Sequence, residues 1–170
     1  MSTTHLPAGL VARAQLPSPV GPLTVAATDT GLALLAFDAH DHPGLHDVPE
    51  QPRQRWLAQA ADELARYWRD GATRFCVPLD LQGTAFQRQV WQALTTIAPG
   101  ATCSYGGIAA RIGRPSAVRA VGLANGANPV AIVVPCHRVI GRDGTLTGYA
   151  GGLARKQALL QHESAQQVLA

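Results

Sequence analysis

Residues 132–141 read IVVPCHRVIG and place a cysteine and a histidine side by side within an otherwise apolar run. A cysteine attacks as its thiolate, yet a free thiol with a pKa of about 8.5 is mostly protonated at neutral pH. His137 is a base that could take this proton from Cys136, and Arg138 adds a fixed positive charge beside the pair. The stretch therefore predicts a buried extended segment, broken by Pro135, that carries a candidate nucleophile.

The residues of this stretch leave two interpretations of the cysteine open. Neighbouring side chains of an extended segment point to opposite sides, so contact between thiol and imidazole requires a turn at Pro135 or a bridging water. The second imidazole nitrogen would then need an acceptor, and Asp143 and Glu163 are the only acidic residues after residue 83. The alternative is that Cys136 packs in the core as a small apolar side chain.

The sequence ahead of this stretch predicts three short helices. They are GTAFQRQVWQALTTIAPG (residues 83–100), SYGGIAARIG (104–113) and RPSAVRAVGLANGANP (114–129), with Thr84, Ser104 and Ser116 as N-caps. A turn that contains Gly113 joins the last two helices, which is the pattern of a helix-turn-helix. Behind the stretch, a glycine-rich loop (142–152) leads into a final helix, LARKQALLQHE (153–163).

The first half of the chain predicts a small α/β unit. The predicted elements are a hairpin (residues 23–27 and 32–37), an amphipathic helix (53–71) and a strand (73–81). The strand would bury Cys76 as an inert thiol, and the histidines of the loop at 38–52 are too loosely spaced to favour a metal site. We therefore predict an α/β N-terminal domain, a short sheet plus a helix, at residues 1–80. A mostly α C-terminal domain with a helix-turn-helix follows at residues 81–170.

Charge is distributed unevenly along the chain. Residues 1–83 carry six arginines and nine carboxylates, whereas residues 84–170 carry eight basic side chains and two carboxylates, a net charge of +6. This asymmetry indicates a polyanionic partner for the second half, with simple solvation of a surface as the alternative.

Cysteine usage and hydropathy narrow the class of protein. The chain has three cysteines without C-x-x-C spacing, which argues against a disulfide framework and against a structural zinc site. The sequence shows neither a signal-peptide pattern nor an apolar run of about 18 residues, so we expect a cytoplasmic protein without a membrane segment.

The motif VPCHRVIG (residues 134–141) resembles the active-site signature of the O6-alkylguanine-DNA alkyltransferases, also called methylated-DNA–protein-cysteine methyltransferases. Four further blocks resemble this family in family order and spacing: GTAFQRQVWQAL (83–94), SYGGIA (104–109), RAVGLANGANP (119–129) and LTGYAGGLARKQALLQHE (146–163). The first half matches loosely, mainly through SPVGPL (18–23).

The resemblance implies repair of DNA by direct alkyl transfer. The alkyl group of O6-alkylguanine in duplex DNA, with O4-alkylthymine as a further candidate, would move irreversibly to Cys136 after the base is flipped out of the helix. His137 would act as the base through a water, and Glu163 would orient His137. Tyr105 would donate to the departing guanine, and Asn128 would fix the turn that leads into the cysteine segment.

The resemblance also implies a DNA-binding surface and a pocket for the flipped base. Arg119 matches the arginine finger that fills the vacated position in the stack, and Asn125 stands where some relatives place an apolar wedge. The implied DNA-binding residues are Arg119, Thr84, Ser104, Ala120, Gly122, Ala124, Asn125 and Arg138. The implied pocket residues are Val134, Pro135, Val139, Tyr149, Ala150 and Gly151.

The resulting hypothesis is a monomeric, single-turnover alkyltransferase that acts on double-stranded DNA containing O6-alkylguanine, without cofactor or metal. Whether several molecules bind cooperatively along DNA is left open. One alternative is a helix-turn-helix DNA-binding module with a structural Cys136. Another is a cysteine hydrolase of a small acyl substrate, which the number of turnovers per molecule would distinguish.

Overall fold

The structure, a computed structural model, describes the backbone of residues 5–168 and the side chains of residues 5–164. The N-terminal half contains β1 (Ala12–Leu16), β2 (Leu23–Ala27), β3 (Leu32–Phe37), a 3-10 turn (Pro43–Leu45) and α1 (Arg55–Arg69). The strands form an antiparallel sheet in the order β1-β2-β3, and α1 packs against it. The predicted hairpin and helix are confirmed, and β1 is an additional strand that the sequence analysis does not predict.

Both faces of this sheet are covered, because successive side chains of a strand point to opposite sides. Leu23 and Val25 join the main core together with Leu57 of α1, whereas Ala26 of the same strand packs in a second cluster with Leu45. All five residues of β2 are buried as a result. The sheet also continues into the second half, since Leu35 exchanges backbone hydrogen bonds with the Pro129 carbonyl and the Ala131 amide, both at 2.9 Å.

The segment at residues 73–81 is not the strand that its sequence predicts. Among the described residues it makes a single isolated bridge, between Leu79 and Leu32. The amides of Cys76 and Val77 instead donate to the buried carboxylate of Glu63 on α1. The prediction of a buried Cys76 is also wrong, because this thiol is exposed.

The second half is helical, as predicted. Its helices are α2 (Ala85–Leu94), α3 (Tyr105–Arg111), α4 (Val118–Gly126) and α5 (Leu153–Val168). Thr84 and Ser104 cap α2 and α3 through their side chains, whereas α4 begins after Ala117 without the predicted Ser116 cap. Helices α3 and α4 pack on each other and on α2, which is the arrangement that a helix-turn-helix requires. Within the described residues, no helix is both long and apolar enough to cross a bilayer.

The segment around residues 132–141 differs from the predicted extended conformation. Ile132 has a φ of 71°, which a β-branched residue rarely adopts, and Cys136–Arg138 forms a 3-10 turn that begins after Pro135. The chain becomes extended only at β5 (Val139–Ile140), which pairs in parallel with β4 (Cys103–Ser104). The cysteine and the histidine therefore lie on a turn rather than on opposite faces of a strand.

Candidate active site

The turn that carries Cys136 is held by two asparagines. The side chain of Asn128 donates to the Val134 carbonyl at 2.8 Å and accepts from the Val130 amide at 3.0 Å, which fixes the loop before the cysteine. The side chain of Asn125 donates to the carbonyl of Cys136 itself at 3.4 Å. Cys136 is 6% exposed and lies inside the main core cluster.

His137 pairs with Glu163, as the resemblance implies. Its Nε2 lies 2.7 Å from Oε1 of Glu163, and both side chains are fully buried. Because an ionised carboxylate only accepts, Nε2 carries the proton in this pair, and Nδ1 of the neutral imidazole is then an acceptor. Among the described residues Nδ1 has no hydrogen-bonding partner, so it is the atom of His137 available to receive a proton.

The carboxylate of Glu163 is surrounded by donors. Oε1 accepts from Arg138 at 2.9 Å and from the Tyr67 hydroxyl at 2.8 Å, in addition to His137. Oε2 accepts from Arg138 Nε at 3.0 Å and from the Gly100 amide at 3.4 Å. Burial alone would raise the pKa of Glu163, but the hydrogen bonds from His137 and Arg138 outweigh it and lower this pKa to about 2. Glu163 is therefore a carboxylate throughout the physiological pH range.

The cysteine and the histidine are neutral at rest. Burial lowers the pKa of His137 more than its hydrogen bond to Glu163 raises it. Burial also raises the pKa of the Cys136 thiol, against the opposing effects of the Asn128 side chain and the Lys156 cation. A protonated thiol thus shares this buried region with an unprotonated imidazole, which is the pair that a proton transfer requires.

Lys156 is a member of the site that the sequence analysis does not predict. It is fully buried, and its Nζ donates to the carbonyls of Val139 at 2.6 Å and Thr147 at 2.9 Å. Burial lowers the pKa of this lysine, and the nearby Cys136 opposes that shift. Lys156 therefore ties β5 to the glycine-rich loop beside the cysteine. Its position as the single lysine of the chain is the one signal that could have drawn attention to it.

An open groove of about 1160 Å³ runs between α3, α4 and the glycine-rich loop. Tyr105, Arg119, Gly122, Leu123, Tyr149 and Ala150 are among the residues that line it. The Tyr105 hydroxyl donates to the Thr147 carbonyl at 3.2 Å, which joins α3 to the loop. Tyr149 lines the groove and also packs against the core cluster that contains Cys136.

The glycine-rich loop, which forms one side of the groove, packs against the N-terminal sheet. A Cβ atom at Gly151 would lie 2.6 Å from the Phe37 ring, so this close approach requires glycine. The other implied pocket residues split into two groups, because Val134, Pro135 and Val139 are buried around the cysteine turn whereas Ala150 is exposed at the groove.

The implied DNA-binding residues also fall into two groups. Thr84, Arg119 and Ala120 are exposed, and Ser104 and Gly122 are half-buried. Ala124, Asn125 and Arg138 are buried, so in this structure their side chains do not line the surface with the others.

Each of the three buried residues has a structural reason for its position. The Ala124 carbonyl accepts from Trp91 Nε1 at 2.8 Å, Asn125 holds the cysteine turn, and Arg138 binds Glu163 and the Ile97 carbonyl. Leu123, which the sequence analysis does not single out, is 74% exposed on the same helix.

Two family models match the chain. Residues 11–81 match 6-O-methylguanine DNA methyltransferase, ribonuclease-like domain, and residues 85–165 match 6-O-methylguanine DNA methyltransferase, DNA binding domain.

Individual relatives match across most of the chain or across its second half. A methylated-DNA–protein-cysteine methyltransferase of Mycolicibacterium paratuberculosis is 54% identical over 147 residues, which cover 86% of this chain and 88% of that protein. One of Salmonella typhimurium is 69% identical over 81 residues, 48% of this chain and 47% of that protein. The crystal structure of Mycobacterium tuberculosis OGT in complex with DNA has a TM-score of 0.83 at 49% identity, and the match covers 92% of this chain and 94% of that chain.

We expect Glu163→Gln to remove the part of the free energy of unfolding that the wild type loses in acid. The pKa of Glu163 is about 2 in the folded protein against an ordinary value of 4.5, so its contribution is present above about pH 4.5 and is lost as the pH falls towards 2. The difference corresponds to about 3 kcal/mol in the free energy of unfolding. Urea unfolding at about pH 6 and about pH 2.5 should show a smaller acid-induced loss for the variant than for the wild type.

The exposed Asp62 on α1 provides the control, and Asp62→Asn should keep the wild-type pH dependence. Equal acid-induced losses in Glu163→Gln and in the wild type would contradict the assignment of this contribution to Glu163.

Proposed function

The chain belongs to the 6-O-methylguanine DNA methyltransferase family, and we propose that Cys136 is the acceptor to which it moves the alkyl group from O6 of guanine in duplex DNA. The observation that carries this assignment is the buried turn on which Cys136 stands beside His137, whose Nε2 is bound to Glu163. A thiol that only filled space in the core would need neither a base beside it nor a carboxylate behind that base.

The transfer consists of one proton movement and one displacement. The thiol proton passes to Nδ1 of His137 through a bridging water, and Glu163 stabilises the imidazolium that forms. The sulfur then bonds to the alkyl carbon as the bond from this carbon to O6 breaks, and the electron pair of that bond stays on the guanine. The guanine finally takes up one proton and the His137 imidazolium gives one up, directly or through solvent, so the products are a thioether on Cys136, an unmodified base and a neutral imidazole.

Tyr105 and Tyr149 are proposed to donate hydrogen bonds to the flipped guanine during this step. The Tyr105 hydroxyl lies at the groove and donates to a backbone carbonyl, from which it can turn to the anionic guanine. The hydroxyl of Tyr149 is buried and has no partner among the described residues, and burial raises its pKa well above the ordinary value. A protonated tyrosine in this position offers a donor to a bound purine.

The groove is proposed to receive duplex DNA along α4. Arg119 and Leu123 lie one helical turn apart on the exposed face of this helix, and Gly122 between them allows close approach of the DNA. An apolar side chain such as Leu123 can insert between base steps in the minor groove, while Arg119 occupies the position left by the flipped base. The N-caps Thr84 and Ser104 of α2 and α3 suit contacts to phosphate, and the net charge of +6 in this half favours the polyanion.

The proposal also covers the oligomeric state, the cellular compartment and the division into domains. A monomer acting once suffices, because the sulfur of Cys136 ends as a thioether that water does not cleave. A reducing compartment such as the cytoplasm suits a reaction that needs a free thiol. The division into a supporting domain at residues 1–80 and a reacting domain at residues 81–170 is part of the same proposal.

We expect Cys136→Ala to abolish alkyl transfer and to leave binding to methylated duplex DNA within about twofold of the wild type, because the substitution changes a buried turn and not the groove surface. After incubation with an O6-methylguanine duplex, mass spectrometry should find one added CH2 on the wild-type peptide that contains Cys136. Cys76→Ala, which removes an exposed thiol, should transfer normally. Repaired DNA together with an unmodified Cys136 peptide would refute the mechanism.

We expect Arg119→Ala to slow transfer from duplex DNA by at least about tenfold and Leu123→Ala by a few-fold, because flipping a base costs a few kcal/mol that these side chains offset. Transfer from the free base O6-methylguanine, which needs no flipping, should be unchanged in both variants. Leu153→Ala is a matched control, since Leu153 is also a large exposed apolar side chain but lies on α5. Equal losses with the free base and with the duplex would contradict a role in flipping.

A further inference from the structure

Helix α1, in the N-terminal half, contributes the side chain of Tyr67 to the hydrogen bonds around Glu163. Tyr67 is fully buried, and its hydroxyl donates to Oε1 of Glu163 at 2.8 Å. Burial and the neighbouring carboxylate raise the pKa of this hydroxyl, so it remains a donor. The proposed transfer gives this group no role.

The position of the Tyr67 hydroxyl is fixed by its surroundings. The ring makes edge-to-face contacts with Trp68 and His162, with centroids 4.9 and 5.1 Å away, and a tilted contact with Phe75 at 5.5 Å. His162 also donates from Nε2 to the Tyr67 carbonyl at 2.6 Å. The hydroxyl therefore cannot leave Glu163 without a rearrangement of the interface between α1 and α5.

Tyr67 and His137 share one oxygen atom. Oε1 of Glu163 lies 2.8 Å from the Tyr67 hydroxyl, 2.7 Å from Nε2 of His137 and 2.9 Å from Arg138. A carboxylate oxygen that serves several donors offers each of them less negative charge than one that serves a single donor. The tyrosine thus draws part of the charge of Glu163 away from the imidazole.

We propose that Tyr67 is a positioning residue for alkyl transfer, which binds Oε1 of Glu163 and thereby limits how strongly that carboxylate favours the imidazolium. The proposal rests on the role of His137 as the base for Cys136. Without the hydrogen bond from Tyr67, the buried carboxylate would stabilise a proton on His137 more strongly. A protonated His137 cannot accept a proton from the thiol. The N-terminal half would then supply a part of the active site and not only a support for it.

The other groups around His137 act in the opposite sense to Glu163 or stay neutral. Arg138, beside it in the chain, and Lys156, from α5, both disfavour the imidazolium through their positive charges. Cys136 and Tyr149 are neutral at physiological pH because burial raises the pKa of each. Glu163 is therefore the acidic group whose strength decides the protonation of His137, and Tyr67 is the neutral side chain that shares its Oε1.

The test is the pH dependence of single-turnover transfer from an O6-methylguanine duplex, compared between the wild type and Tyr67→Phe. Phenylalanine keeps the ring and removes only the hydroxyl. We expect the acidic limb of the profile, which reports protonation of His137, to move to higher pH by about half a unit to one unit, the equivalent of one hydrogen bond. Below the limb the rate should fall about three- to tenfold, whereas the alkaline plateau and the affinity for the duplex should stay within about twofold. The imidazole NMR titration of His137 in the free protein should shift in the same direction.

Trp56→Phe is the matched control, because it also removes one side-chain hydrogen bond of an aromatic residue on α1, the bond to the Asp29 carbonyl, but leaves Tyr67 and the donors to Glu163 untouched. It should leave the His137 titration unchanged. The proposal is overturned if Tyr67→Phe keeps the wild-type His137 titration, or if Trp56→Phe shifts it equally. Failure of the wild type to methylate Cys136 would instead refute the proposed function, and the NMR titration would still decide the role of Tyr67.

Discussion

The buried carboxylate of Glu163 is the interaction on which the rest of the structure depends. It lies on α5 and accepts hydrogen bonds from Tyr67 of α1, from Gly100 after α2, and from His137 and Arg138 of the cysteine turn. An unpaired charge in the interior is very costly, so these elements must assemble together around the carboxylate. The requirement that stabilises the fold therefore also fixes the imidazole next to the cysteine.

In the proposed mechanism, this arrangement keeps the acceptor cysteine unreactive until the substrate arrives. Burial keeps the Cys136 thiol protonated and His137 neutral, so no permanent thiolate is exposed to oxidants or to adventitious electrophiles. A substrate that carries its alkyl carbon to the sulfur makes the proton transfer productive. In the proposed mechanism, water cannot convert the resulting thioether back to a thiol, so each protein molecule reacts once.

The features that could be predicted from the sequence depend on local signals or on motif resemblance. The side-chain cap of Thr84 and the hairpin follow from neighbouring residues, and the motif around the cysteine is recognised by its resemblance to a family signature. Residues 73–81 could not be assigned in this way, because the amides of Cys76 and Val77 are satisfied by the side chain of Glu63 on α1 instead of by a neighbouring strand. The burial of Asn125 and Arg138 could not be predicted either. It depends on how α4 packs on α2 and on which residues bind Glu163, and both are contacts between separate elements.

The stoichiometry of repair is decisive, because it is the number of methyl groups that one polypeptide can remove. Purified protein would be titrated with a duplex containing O6-methylguanine in excess, and the repaired guanine would be counted against the protein. We expect a plateau at one methyl group per chain, with all of the transferred methyl on Cys136. Continued repair beyond one equivalent, or repair by protein whose Cys136 has been blocked beforehand, would contradict it.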